Sequence, residues 1–312
     1  MPPLNNEQIT ALKKKATLAS VSLAITLSLL KTFGALYTGS LSVLTSMIDS
    51  LADIFASSVT YIAVKVSSKP ASRNHRYGYG KAEALSALIQ SAFVAGSGIF
   101  VLYDGISRLI TPRPLEAAGI GIIIMVISLI STLALIMFQK RVCRITLSQA
   151  ICADSAHYTV DVITNAAIIL TLIMVKLFDI SWFDTLTAFV VSSYLLINAY
   201  KLARDAVAML LDHELPDSIR DRVREIVLEE DGVRGMHDLR TRDLGGAYLF
   251  EFHLELDGNL PLYEAHGHAD RVEAAITHCF PGAQVIIHED PAGLEEDRLD
   301  HKICGLPGNT PC

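Results

Sequence analysis

The 312-residue chain has few charged residues for a soluble protein. Only 19% of its residues are Asp, Glu, Lys or Arg, whereas 51% are hydrophobic. An ordinary globular domain carries about 25% charged residues. The balance excludes an intrinsically disordered chain, and the long runs of apolar residues argue against a purely soluble protein. The net charge of −7 offers no basic surface, which argues against nucleic-acid binding.

The chain has few cysteines, and their spacing matches neither a zinc finger nor a disulfide-rich fold. Five cysteines occur, none in a CxxC pair, so we expect neither a zinc finger nor a disulfide framework. Cys143 and Cys152 stand in or beside apolar segments, where we expect them to act as small hydrophobic residues. Eight of the ten histidines follow residue 212, which points to a separate role for that end of the chain.

Six apolar stretches are each long enough to cross a bilayer, which takes about 20 residues. They lie near 16–37, 42–66, 84–108, 117–139, 150–176 and 181–203. Thirteen Lys and Arg residues lie in four segments: before the first stretch, after the second, after the fourth and after the sixth. The remaining connections hold three. The positive-inside rule therefore predicts a multi-pass membrane protein with both termini in the cytoplasm.

The pattern changes after residue 212, where the net charge turns from +5 to −12. Helical periodicity marks 217–230 and 262–280, and strand-like alternation marks 234–242, 247–257 and 284–289. This order, αββαβ, predicts a small α+β domain with its helices on one face of the sheet. We therefore divide the chain into a membrane α-helical bundle at 1–212, a cytoplasmic domain at 213–291 and a disordered tail at 292–312.

Ionisable residues inside the apolar stretches are costly and by default mark a function. Asp49 and Asp53 lie four residues apart in the second stretch, and His157 and Asp161 lie four residues apart in the fifth. This spacing places each pair on one helix face, and the like charges of Asp49 and Asp53 need a cation or protons to neutralise them. Three carboxylates and one imidazole suit tetrahedral zinc and tolerate other divalent transition metals.

Two other functions use the same residue types. Intramembrane aspartyl hydrolases use paired aspartates that share a proton, although Asp49 and Asp53 lie on one helix and no GxGD-like motif occurs. A membrane metal sensor that does not transport would bind its ion through the same four side chains. Asp104 and Asp154 lie nearer the ends of their stretches, and we expect structural roles for them.

Four segments carry a resemblance to a known family: DSLAD and HYTVD at the two ligand pairs, the loop NHRYGYGKAEAL, and the C-terminal run HDLRTRDLGGAYLFEFHLELDGNLPL. Over residues 10–291 the chain resembles the cation diffusion facilitator family, in its bacterial zinc and ferrous-iron efflux branch. The resemblance implies a homodimer. Each protomer would have six transmembrane helices and a metallochaperone-like, ferredoxin-like cytoplasmic domain. It implies a secondary transporter, not an enzyme, that exchanges a divalent metal for protons. Zn²⁺ is the expected substrate and structural ion, with Fe²⁺ or Cd²⁺ as further substrates.

The resemblance also implies a binuclear zinc site in the cytoplasmic domain. Its ligands fall on His237, His253, His266, His288 and Asp290, with Glu289 as a further candidate. His288 and Asp290 are two residues apart, so an extended chain directs both to the same side. Without the resemblance, we would interpret most of these histidines as solvated surface residues.

Two further features of the family fall near the membrane domain. A metal site between the second and third spans corresponds to Ser72, His75 and Tyr79, of which His75 alone is a strong ligand. Because hydroxyl groups bind soft divalent ions poorly, we expect this loop site to be weak or lost. Lys81 and Asp212 match a salt-bridge interlock between protomers.

Overall fold

The computed structural model describes the backbone of residues 6–38, 41–110, 119–178, 182–294 and 298–303. Inside these ranges, the side chains of 34–52, 108–110, 119–125, 164–165, 167–178 and 182–185 lie outside the description, as do those of residues 6 and 31. The chain divides into two compact units, Met1–Leu210 and Leu211–Cys312.

The first unit consists of long helices. They are α1 (Asn6–Thr38), α2 (Leu41–Ser67), α3 (Ala82–Ile110), α4 (Gly119–Thr146), α5 (Gln149–Phe178) and α6 (Trp182–Leu210). Each corresponds to one of the apolar stretches identified in the sequence. By length and composition, three segments within the described residues are apolar enough to cross a membrane, namely Ala82–Ser107, Val126–Thr146 and Leu186–Leu210.

Small residues allow close contact between α3 and α6. A Cβ atom at Gly105 would clash with the Cβ of Ala188, and one at Gly98 would lie 3.1 Å from the Cβ of Leu195. Close backbone approach of this kind is typical of packed membrane helices, where dispersion contacts replace the hydrophobic drive between helices. A larger residue at Gly105 would therefore push the two helices apart.

The buried carboxylate of Asp154 on α5 connects several helices. It accepts hydrogen bonds of 2.6 Å from Ser20 Oγ on α1 and of 2.6 Å from Gln139 Nε2 on α4. Gln90 Nε2 on α3 lies 3.5 Å from its second oxygen, and Ser57 on α2 joins through a 3.0 Å bond to Ser20. A buried carboxylate is tolerated only where such donors are provided. The structural role expected for Asp154 is confirmed by these contacts.

A second buried carboxylate, Glu83, lies in the first turn of α3. It accepts 2.9 Å hydrogen bonds from Lys13 Nζ on α1 and from Ser67 Oγ on α2. Ser148, in the turn between α4 and α5, donates to its other oxygen. The start of α3 is thereby tied to α1, to the end of α2 and to the start of α5.

The same turn carries a disulfide between Cys143 and Cys152. The expectation that these cysteines act as small hydrophobic residues was wrong, because the chain reverses between α4 and α5. Leu147 adopts a positive φ of 50° there, and the two Cα atoms, nine residues apart in sequence, come to 5.2 Å from one another. Disulfides bridge Cα atoms at this separation.

The second unit is a three-stranded sheet with two helices. Its elements are α7 (Asp217–Leu228), β1 (Gly235–Asp243), β2 (Tyr248–Leu256), α8 (Leu262–Cys279) and β3 (Gln284–Pro291). β1 and β2 form an antiparallel hairpin, β2 and β3 are parallel, and the strand order is β1-β2-β3. The predicted αββαβ order and fold class are confirmed.

The core of the second unit lies between one face of the sheet and the two helices. Phe252 and Leu254 of β2 are fully buried, together with Val223 of α7 and Ile276 of α8. Residues of β2 alternate between the two faces of the sheet, so His253 points to the face away from the helices.

The expectation of disorder from residue 292 onward differs from the structure at 298–303. Leu299–His301 form one turn of 3₁₀ helix, and the N–H groups of Leu299 and Asp300 donate to the carboxylate of Asp238 on β1 at 2.8 and 2.7 Å. Partial burial of Asp238 opposes its ionisation, but these two N–H donors prevail and lower its pKa below the ordinary value. Residues 295–297 and 304–312 lie outside the described residues.

We predict that Asp154→Ala destabilises the membrane domain, because Ser20 and Gln139 would be left with buried donors. The loss is about 2–5 kcal/mol, the range for unpaired buried polar groups and broken buried networks. Thermal unfolding in detergent measures it, and Asp205→Ala is the control, because Asp205 on α6 is 62% exposed. Equal melting temperatures for the two variants would contradict the role of Asp154.

We also predict that Cys143 and Cys152 are recovered as one disulfide-linked peptide from protein purified in air without reductant. Cys279 is exposed and free, so of the three described cysteines, Cys143, Cys152 and Cys279, iodoacetamide should label only Cys279 before reduction and all three afterwards. Peptide mass spectrometry distinguishes these states. Labelling of Cys143 without reductant would show that the bond does not form.

Candidate metal centres

Helices α2 and α5 bring three of the four intramembrane candidates together. His157 Nε2 on α5 lies 3.3 Å from Asp53 Oδ1 on α2. One ligand atom from each of Asp53, His157 and Asp161 lies within 4.8 Å of the others. The fourth candidate, Asp49, is one helical turn before Asp53, and its side chain lies outside the described residues.

The surroundings of this cluster are asymmetric. His157 is buried, and the ring of Phe93 on α3 meets it edge-on, with the ring centroids 6.5 Å apart. Asp53 and Asp161 are half-buried, so the side of the cluster with the carboxylates is more exposed than the side with His157. Nδ1 of His157 is buried and makes no hydrogen bond to the described residues. Two carboxylates and one imidazole in this space form an N/O donor set for a divalent transition metal.

Two glutamines that the sequence analysis did not single out, Gln90 and Gln139, hold α5 in place beside this cluster. Asp154 precedes His157 by three residues and is fixed by Gln139 and Gln90, both completely or almost completely buried. The signal in the sequence was the presence of glutamine inside apolar stretches, which indicates a partner in the interior. Spacing alone gave no means of pairing either glutamine with Asp154.

In the second unit, three histidines form a row across the sheet. His237 on β1 pairs in register with His253 on β2, which pairs with His288 on β3. The ring centroids lie 4.9 Å apart in the first pair and 4.6 Å apart in the second. The row lies on the face of the sheet away from the two helices, where imidazoles are not needed for the hydrophobic core.

Asp290 lies between these histidines. Its Oδ2 atom is 2.6 Å from His253 Nδ1 and 3.7 Å from His237 Nε2. Its Oδ1 atom is 3.2 Å from His288 Nε2. His237, His253 and Asp290 form a compact group of potential ligand atoms, and an imidazole lies close to each oxygen of Asp290.

Glu255, which the sequence analysis missed, supports this group from the next position on the same face of β2. Its Oε1 atom lies 2.9 Å from His237 Nδ1. A carboxylate at this nitrogen makes it the proton-bearing one, which leaves Nε2 on the side of Asp290. The position two residues beyond His253 on a strand was the available signal.

His266 and Glu289 are not part of this cluster. His266 Nδ1 on α8 lies 3.8 Å from Glu289 Oε1, and its Nε2 lies 3.6 Å from Asp270. Strand alternation turns Glu289 to the face opposite to His288 and Asp290. Of the six cytoplasmic candidates, the structure therefore gathers four and leaves the other two as a neighbouring pair.

The loop histidine has a different environment. The ring of His75 stacks on Tyr79 at a centroid distance of 4.4 Å, and Ser72 Oγ lies 3.0 Å from the Tyr79 hydroxyl. Within the described residues, His75 belongs to no group of three potential ligand residues. That this loop site is weak or lost stays a prediction.

Comparison with known proteins assigns this chain to a family. A model of the cation efflux transmembrane domain matches residues 17–211, and a model of the cytoplasmic domain of cation efflux proteins matches residues 215–292. The cation-efflux pump FieF of Klebsiella pneumoniae is 44% identical over 294 residues, covering 93% of this chain and 96% of that protein. FieF of Escherichia coli K12 is 43% identical over the same shares.

Among solved structures, the Zn form of CzrB is 36% identical over 28% of this chain and 99% of that chain, with a TM-score of 0.26. The family matches confirm the resemblance that the sequence motifs carried, and they identify the second unit as the family's cytoplasmic domain. This chain belongs to the cation efflux, or cation diffusion facilitator, family of multi-pass membrane secondary transporters, which are not enzymes.

Proposed function

We propose that this protein exports Zn²⁺ from the cytoplasm across the inner membrane in exchange for protons. The observation that carries the proposal is the convergence of Asp53, His157 and Asp161, whose ligand atoms lie within 4.8 Å of one another. Asp49, one turn from Asp53 on α2, is the fourth ligand. Membership of the cation efflux family supports the direction of transport.

Proton exchange follows from competition for the same atoms. Carboxylates bind a metal when ionised and imidazole binds it when neutral, so loading the site releases protons. Where protons are more abundant, His157 and the aspartates regain them and the metal ion leaves. Binding and release are therefore coupled through the occupancy of a single set of side chains.

Alternating access requires a ligand set that a rigid-body movement can open to either side. The set draws on two helices, since Asp53 lies on α2 while His157 and Asp161 lie on α5. A change in the contact between these helices alters the Asp53–His157 distance, now 3.3 Å, and so the affinity for the substrate. Asp154 and its donors keep the first turns of α5 together during such a movement.

The donor set supports the choice of substrate. One imidazole nitrogen among carboxylate oxygens favours Zn²⁺ over harder ions such as Mn²⁺. The same set tolerates Fe²⁺ and Cd²⁺, which we propose as further substrates. The relatives' name, cation-efflux pump, is consistent with a range of metals.

We assign His237, His253, His288 and Asp290 as ligands of a resident Zn²⁺ centre in the cytoplasmic domain. The residues present fit such an ion, because the side chains of His237 and Asp290 are only 4% and 8% exposed and place N and O donors side by side. A bound ion would supply positive charge to Asp290 and cross-link the three strands. His266 and Glu289 as further ligands rest on the sequence resemblance alone.

The quaternary and membrane arrangement completes the proposal. The cytoplasmic domain is the family's dimerisation domain, and the protein is a homodimer. Both termini lie in the cytoplasm, as the distribution of Lys and Arg supports. On the sequence resemblance alone we propose Lys81 and Asp212 as the interlock between protomers, and we keep the boundaries 1–212, 213–291 and 292–312 for membrane domain, cytoplasmic domain and tail.

Asp53→Ala and Asp161→Ala should each lower Zn²⁺ transport by about 10-fold or more, because each removes a charged ligand from a four-ligand site. The measurement is Zn²⁺ uptake into proteoliposomes that contain a zinc-sensitive dye, with an imposed pH gradient. Asp205→Ala, which removes an exposed carboxylate on α6, should transport normally. Near wild-type rates in both site variants would rule out this site, and binding without transport by the wild type would indicate a metal sensor.

His253→Ala should reduce the number of Zn²⁺ ions bound per protomer, because it removes the histidine closest to Asp290. His278→Ala is the matched control, since His278 is an exposed histidine of the same domain. Equilibrium dialysis of the full-length protein with elemental analysis gives the stoichiometry. An unchanged metal content in His253→Ala would refute the cytoplasmic assignment.

A further inference from the structure

The C-terminal segment 298–303 docks on the strand that carries His237. The carboxylate of Asp238 accepts the N–H groups of Leu299 and Asp300 at 2.8 and 2.7 Å, and the carboxylate of Asp300 accepts the N–H of Asp238 at 3.0 Å. The contact is reciprocal, because each aspartate side chain satisfies the backbone of the other. Asp238 has a positive φ of 53° at the irregularity of β1, which turns its N–H toward the segment.

Arg298 extends from this segment to the metal cluster. Its Nη2 atom donates to Glu255 Oε1 at 2.6 Å, and the same oxygen lies 2.9 Å from His237 Nδ1. The side chains of Arg298, Glu255 and His237 are 28%, 16% and 4% exposed, so the chain of contacts runs inward from the surface. It ends where His237 Nε2 faces Asp290, 3.7 Å away.

The position of Glu255 is sterically restricted. It pairs in register with Gly235 on one side and Asp290 on the other. A Cβ atom at Gly235 would lie 2.8 Å from Glu255 Oε2, so the glycine leaves room for the carboxylate to reach across β1. The carboxylate therefore lies in contact with His237.

Charge explains why Arg298 is needed. Glu255 and Asp290 are largely shielded carboxylates at paired positions of β2 and β3, and their like charges repel one another. A guanidinium compensates this repulsion and forms the stronger, charge-assisted kind of hydrogen bond. A histidine that binds a metal typically donates its other ring N–H to a carboxylate, which fixes the ring and raises its basicity. Glu255 meets this requirement for His237 while Arg298 holds it.

We propose that the C-terminal segment is a working part of the cytoplasmic metal centre, in which Arg298 positions Glu255 and, through it, His237, so that docking of the segment raises the metal affinity. The proposal rests on the proposed assignment of His237 as a ligand. Because linkage is reciprocal, a bound metal strengthens docking of the segment by the same factor. Metal occupancy is thereby transmitted to the segment 298–303.

Zn²⁺ affinity of the full-length protein tests the first half of the proposal. The background is Asp53→Ala, which weakens the intramembrane site, and affinity is measured by competition with a chelating dye. Arg298→Ala should weaken binding about 10–100-fold, the usual effect of losing support behind a ligand. Arg298→Lys should restore part of the affinity, since it keeps the charge. Arg240→Ala is the control, because Arg240 pairs with Glu251 across the same two strands at 3.7 Å and is 49% exposed.

Hydrogen exchange tests the second half. Added Zn²⁺ should slow exchange of the N–H groups of Asp238, Leu299 and Asp300 in the wild type, and should no longer do so in Glu255→Gln. Thermal unfolding without metal checks that Arg298→Ala and Arg298→Lys are folded. If neither variant folds, hydrogen exchange in Glu255→Gln tests the proposal instead.

Three outcomes separate the proposal from the assignment on which it rests. Equal Zn²⁺ affinity in the wild type and Arg298→Ala, with loss of binding in His253→Ala, would overturn the role of the segment and leave the ligands intact. Unchanged metal binding in His253→Ala would overturn the assignment itself. Weakened binding in Arg298→Ala together with zinc-dependent protection of Leu299 and Asp300 would establish both.

Discussion

A carboxylate removed from water must receive hydrogen bonds or positive charge from the protein, and this constraint organises the membrane domain. Asp154 takes its donors from three other helices, and Glu83 takes its donors from α1, α2 and the α4–α5 turn. The position of α5 is thus determined by polar contacts as much as by apolar packing. His157, one turn beyond Asp154, is consequently held within reach of Asp53 on α2.

The start of α5 is the point where these constraints meet. Ser148 binds Glu83, the Cys143–Cys152 disulfide joins the end of α4 to the first turn of α5, and Asp154 follows within the next turn. A disulfide persists only under oxidising conditions, whereas the carboxylate contacts do not depend on them.

The cytoplasmic domain meets the same constraint on an open sheet face. Register aligns the histidines of three strands, and Asp290 and Glu255 then share that face with them. Imidazoles satisfy Asp290, while Arg298 of the C-terminal segment satisfies Glu255. Both candidate metal centres thus place carboxylates beside histidine, where a divalent cation would relieve the repulsion between the carboxylates.

The sequence by itself determined the elements and the intramembrane pairs. Apolar runs, strand alternation and the spacing of Asp49, Asp53, His157 and Asp161 are local signals, and they predicted the helices, the αββαβ order and the quartet. Tertiary structure alone decided which helix faces meet, which strands are neighbours and where the chain reverses. The partners of Asp154, the disulfide, the separation of His266 from the histidine row and the contact of Arg298 with Glu255 depend on those long-range choices. No periodicity records them, because they join residues from 9 to more than 130 positions apart.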